Sequence, residues 1–138
     1  MSRGLSLLTW LLVLATAVTG LGQAWMRYLL EPVDDFSVWN HPWQETTEAL
    51  HAFLGPVASL GLGVVLTAHA GERLRHPGTS GRAKLGGFLV GGLVIALVVS
   101  GAWLLGWPDP DTKLVSWIHG IVGALLLLGM VGHARSAR

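Results

Sequence analysis

Charge divides the chain before any motif does. Residues 4–26, 49–71, 85–107 and 114–134 contain no Asp, Glu, Lys or Arg. Each run exceeds the ~20 apolar residues that carry a helix across a ~30 Å hydrocarbon core. A soluble protein of 138 residues has no interior large enough to bury four such helices on all sides. The pattern predicts spans at about 5–30, 48–74, 82–106 and 112–134, forming one membrane domain over residues 1–138. Between the first two lies a loop of turn formers, Pro32, Asp34, Asp35, Asn40 and Pro42. Thr46 or Thr47 is expected to cap the second span, and Gly55-Pro56 to kink it. Short connections elsewhere favour an all-α, up-down-up-down four-helix bundle in which the second and fourth helices run parallel.

Composition agrees. Charged residues make up 12 % of the chain, about half of the roughly 25 % of soluble domains. Cysteine is absent, which excludes disulfides, thiolate metal sites, iron–sulfur clusters and thioether-linked haem. The net charge of +1 gives no sign of nucleic-acid binding.

The charges sort by side. Arg3, the group Arg73, Arg75, Arg82 and Lys84, and the pair Arg135 and Arg138 share one face. The other face receives Glu31, Asp34, Asp35, Glu45, Glu48, Asp109 and Asp111, with Arg27 and Lys113 as its cations. The excess of Lys and Arg places both termini in the cytoplasm of a bacterial-type inner membrane. Trp25, Tyr28, Trp39, Trp43, Trp103, Trp107 and Trp117 gather at the outer boundary, as one half of an aromatic belt. Residues 1–20 also have the basic start and the Ala15-x-Ala17 of a secretory signal, but the apolar run continues to Met26, which favours a span.

Six histidines then stand out. His41 and His76 are in loops; His51, His69, His119 and His133 all fall in the second and fourth spans. Ionisable groups inside a span are costly and mark functional positions. His51 and His69 are eighteen apart and return to one face at about 100° per residue; His119 and His133, fourteen apart, differ by about 40°. Each of these helices therefore carries one outer and one inner histidine on one stripe. His51 is positioned to meet His119, and His69 to meet His133. Two imidazoles fill both axial positions of a haem iron and leave none for dioxygen, which suits electron transfer. His51-x-x-x-Gly55 and His119-x-x-x-Gly123 repeat the same local pattern. Ser6 and Gly20 in the first span, and Gly87 and Gly101 in the third, are each fourteen apart and supply small residues at both depths. Small residues also serve plain helix contact.

The chain resembles the four-helix di-haem membrane cytochrome b family, the haem-bearing subunits of quinone-linked oxidoreductases. The resemblance spans nearly the whole chain. It rests on His119-x13-His133, on His51 and His69, on Thr19-Gly20 and Ser100-Gly101, and on Gly87-x13-Gly101. It implies two b-type haems stacked across the bilayer and electron exchange between the quinone pool and a partner, a periplasmic cytochrome or another redox subunit. The chain would be a relay rather than an enzyme by itself. In the bc-type pattern both pairs are about fourteen apart, so the extra turn in the second span shifts one ligand by about 6 Å. The outer pair, with its twin His-x-x-x-Gly context, is the firmer of the two.

Two other readings compete. In one, His41, Asp34, Asp35, Glu45 and Glu48 collect a divalent metal ion for transport by the helical histidines. No carboxylate lies inside any of the four charge-free runs to support it. In the other, the chain is a passive membrane anchor, which gives no reason for four aligned histidines.

Overall fold

The computed structural model describes residues 3–32, 34, 36–37, 39–75, 81–107 and 112–136, the side chains of residues 3, 69–70, 72–75, 82–83 and 133–136 excepted. Four helices account for nearly all of them: α1 Arg3–Tyr28, α2 Gln44–Arg75, α3 Gly81–Gly106 and α4 Lys113–Ser136. All four are long and apolar enough to cross a membrane. Their outer faces are covered with apolar side chains, among them Val18, Leu21, Leu60, Phe88, Ile95 and Leu128, all more than half exposed. In water that surface would drive aggregation. In lipid it is ordinary solvation, and the fold is that of a multi-pass membrane protein.

The helices follow one another around the bundle. α1 packs most closely on α2 and α3 on α4; α2 meets α3, and α1 touches α4 most lightly among neighbours. α2 and α4 thus sit on a diagonal and face each other across the interior. The α1–α2 approach is close because Gly61 leaves room for Thr9, whose hydroxyl would lie 3.3 Å from a Cβ at position 61. Thr9 is buried and gives its hydroxyl hydrogen to the Leu5 carbonyl at 3.0 Å. Val13, Ala58, Leu62, Val94 and Leu126 form an apolar core drawn from all four helices. At the end of the bundle opposite the chain termini, Tyr28 stacks on Trp117 with ring centres 5.1 Å apart and bridges the α1–α4 seam.

The ends of α1 and α2 differ from expectation. α2 begins at Gln44, about a turn early, and neither Thr46 nor Thr47 caps it. Residues upstream satisfy its free amides instead. The His41 carbonyl accepts from Gln44 N at 3.0 Å, and His41 Nδ1 accepts from Trp43 N at 3.2 Å. Thr47 is already inside the helix and donates its hydroxyl to the Trp43 carbonyl at 2.7 Å. Asn40 closes the turn from both sides. Its Nδ2 donates to the carbonyls of Arg27 and Leu30, and its backbone N–H donates to Gln44 Oε1. These bonds satisfy carbonyls and amides that helix ends leave open. α2 continues through Pro56 without interruption.

Candidate functional site

Two of the four helical histidines are brought together. His51 on α2 and His119 on α4 meet in the half of the bundle away from the chain termini, ring centres 6.1 Å apart and planes at 86°. Ala58 and Leu126, each seven residues further inward, belong to the apolar core. That core therefore lies about 10 Å below the pair at 1.5 Å per residue.

Each ring is held by the neighbouring helix of its own hairpin, in the same manner. The His51 ring lies on Gly20 of α1, where an added Cβ would stand 2.7 Å from its Cε1. The His119 ring lies on Gly101 of α3, where the same distance is 3.1 Å. The residue before each glycine carries a hydroxyl that reaches the ring. Thr19 Oγ1 is 3.2 Å from His51 Nδ1, and Ser100 Oγ is 2.9 Å from His119 Nδ1. His51 Nδ1 also lies 3.0 Å from the Thr16 carbonyl.

These contacts determine where the ring protons sit. A carbonyl only accepts, so His51 Nδ1 carries its proton and donates it to Thr16. The Thr19 hydroxyl hydrogen is turned to the Ala15 and Thr16 carbonyls, at 3.0 and 2.9 Å. The Ser100 hydroxyl hydrogen is likewise turned to Ala96, at 2.7 Å, with Leu97 at 3.1 Å. Ser100 Oγ therefore meets His119 as an acceptor, and His119 Nδ1 is protonated too. In its neutral form each imidazole then has its lone pair on Nε2, and among the described residues no hydrogen bond reaches either Nε2. The site is two imidazoles supplied by diagonal helices.

The other expected positions divide. Among the described residues nothing lies within 4 Å of a Cβ at position 87 or 55, whereas Gly123 is in ordinary contact with Leu97. The two His-x-x-x-Gly segments are thus alike in sequence but not in surroundings. His69 and His133 lie in α2 and α4 as expected, and their side chains fall outside the described residues. His76 and Asp35 fall outside them altogether.

The groups of the α1–α2 loop and the start of α2 are engaged elsewhere. His41 Nδ1 is taken by Trp43 N, Asp34 Oδ1 by Phe36 N, and Glu48 Oε2 by Gln23 Nε2. Among the described residues no group of three or more His, Asp or Glu is placed to hold a metal ion. A bare ion needs such a cluster, usually four or more donors. Two axial imidazoles suffice only where the ligand brings its own equatorial donors.

Nothing in the sequence signals the Thr16 carbonyl. The hydroxyls do leave a signal, since Thr19-Gly20 and Ser100-Gly101 are the same hydroxyl–glycine pair on two helices. No protein-family model matches the chain, and no curated protein or solved structure is significantly similar to it.

Proposed function

We propose that His51 and His119 are the axial ligands of a b-type haem, and that the chain is a transmembrane electron relay of the di-haem cytochrome b kind. The observation that carries this is the pair itself. An imidazole nitrogen bonds a zinc ion at about 2.0–2.1 Å, and bonds of like length from one metal atom to both rings would set the ring centres roughly 6 Å apart. The rings stand 6.1 Å apart, and among the described residues no hydrogen bond reaches either Nε2. Histidine ligands to metals nearly always give their other ring N–H to a carbonyl or similar acceptor, which fixes the tautomer and raises ligand basicity. Thr16, Thr19 and Ser100 supply those acceptors. Gly20 and Gly101 let the rings lie against the backbone of the flanking helices. When bound, haem supplies one-electron chemistry, and bis-histidine ligation closes it to dioxygen.

His69 and His133 are the corresponding inner pair in this reading, separated from the outer one by the apolar core. Their offsets along the two helices differ, about 27 Å from His51 to His69 and about 21 Å from His119 to His133. The outer centre is accordingly the primary site. Electrons pass between membrane quinol and a periplasmic or membrane redox partner, with both termini in the cytoplasm. In this reading Arg73, Arg75, Lys84 and Arg135 set that topology.

The test is haem stoichiometry. Protein purified in mild detergent is assayed by pyridine haemochrome and by reduced-minus-oxidised spectra, as wild type, His119→Ala and His133→Ala. Two b haems per chain, with one lost in each variant, is the expected result. Folded wild type with no Soret absorbance refutes the proposal.

A further inference from the structure

The outer histidine pair has a polar neighbour one turn above it. Glu48 lies three residues before His51 on α2, and Gln23 three residues after Gly20 on α1. The Gly20–His51 and Gln23–Glu48 contacts are therefore successive rungs between the same two helices. Gln23 Nε2 donates to Glu48 Oε2 at 2.9 Å. Gln23 Oε1 is buried and accepts nothing, the one buried side-chain polar atom in that condition among the described residues. Buried polar atoms are normally paired, and an exception needs a reason.

The reason lies in what a carboxamide can do beside a carboxyl group. A guanidinium or ammonium at position 23 would hold Glu48 ionised. A carboxamide donates through Nε2 to a carboxylate and, turned over, accepts through Oε1 from a carboxylic acid. Either orientation leaves one amide atom unpaired, so the partner does not choose between protonation states. Nearby charge then decides. α1 supplies Arg27, one turn beyond Gln23; α2 supplies Glu45 and His51; the first outer loop supplies His41. α4 starts at Lys113 and carries His119, while α3 brings no ionisable residue to this end. Asp109 and Asp111 lie outside the described residues. Glu48 itself is exposed and lies in the first turns of α2, beside the polar α1–α2 loop from which a proton would reach it.

We propose that Glu48 is a redox-linked proton site of the outer centre, an inference that rests on the haem reading above. When that centre gains one electron from a quinol or an electrode, its charge becomes less positive by one unit. The Glu48 carboxylate then takes up one proton and becomes a carboxylic acid, and Gln23 turns its amide to accept the new O–H. Loss of the electron returns the proton to the outer phase. Reduction raises the proton affinity of Glu48, so by linkage the potential is highest at low pH. It falls as pH rises through the window in which the reduced form holds the proton and the oxidised form does not. For one electron the slope approaches 59 mV per tenfold change in proton concentration.

The experiment is spectroelectrochemical titration of the haem-loaded full chain across pH, with infrared difference spectra of reduction. Wild type is expected to show a falling potential and a carboxylic C=O band that appears on reduction. Glu48→Gln, which keeps a hydrogen bond to Gln23, should lose both; Glu45→Gln should lose neither. Gln23→Lys should flatten the slope by keeping Glu48 ionised. A Soret band with a potential independent of pH overturns this inference alone, as does a Glu48→Gln variant that keeps the slope. Folded protein with no Soret band overturns this inference and the haem reading together.

Discussion

Gly20, Gly101 and Gly87 make a graded test, because the structure assigns each a different cost for one methyl group. A Cβ at position 20 would sit 2.7 Å from His51 Cε1, and one at position 101 would sit 3.1 Å from His119 Cε1. Carbon atoms rest at about 3.5–4.0 Å. The His51 ring must therefore retreat by about 0.8 Å or more, the His119 ring by about 0.4 Å or more. At position 87 no atom of the described residues lies within 4 Å. The obstructing atom in both tight cases is the far end of a side chain, so the helices can stay where they are. Gly→Ala also favours a helix by about 0.8–1.0 kcal/mol. What suffers is the ring's position. A displacement of 0.8 Å or more breaks the 3.0 Å bond from His51 Nδ1 to Thr16 and moves Nε2. Disturbance of such supporting contacts costs about 10–100-fold in metal affinity. Gly20→Ala should therefore fold normally by circular dichroism yet lose outer-site haem, with affinity falling ~10–100-fold. Gly101→Ala should show a smaller loss, and Gly87→Ala none at the outer site. Haem titration of the three purified variants measures this order. Full outer-site haem in Gly20→Ala, or equal loss in all three, would refute the packing argument.

Ser100→Ala removes the one side-chain acceptor of His119 Nδ1, costing about 0.5–1.5 kcal/mol and shifting the outer haem potential upward, while Ser100→Thr restores it; potentiometry reads both. Thr19→Val should shift the potential less, because the Thr16 carbonyl still accepts from His51. Asn40→Ala removes two bonds to the end of α1 and should lower stability by about 1–2 kcal/mol, seen as a lower thermal midpoint at unchanged haem content. Reporter fusions at both termini should be active only where the reporter needs the cytoplasm.

The four helices were legible because a charge-free run of bilayer length suits little besides a membrane span. Their ends were not. The start of α2 is fixed by Asn40 and His41, loop residues whose bonds reach back to the α1 terminus and leave no periodic trace. The histidine pair was legible because helical geometry puts residues eighteen and fourteen apart on one stripe. In the sequence the glycines beneath the rings are only small residues at a suitable depth, and in that guise Gly87 looks no different from Gly20. Separating them requires knowing that α1 lies on α2 and α3 on α4. The hydroxyl partners need more. The direction of each Nδ1–H follows from where the Thr19 and Ser100 hydrogens already point, and no spacing rule encodes that. The Gln23–Glu48 bridge is likewise a property of helix contact, since neither residue belongs to any motif.

The most direct measurement of the central claim is the electron paramagnetic resonance of the oxidised protein, compared among wild type, His51→Ala and His119→Ala. Rings crossing at 86° predict a low-spin, strongly anisotropic ferric signal from two imidazole ligands, lost from the outer site in both variants. A folded wild type without haem, or a low-spin outer signal that survives either substitution, would contradict the account.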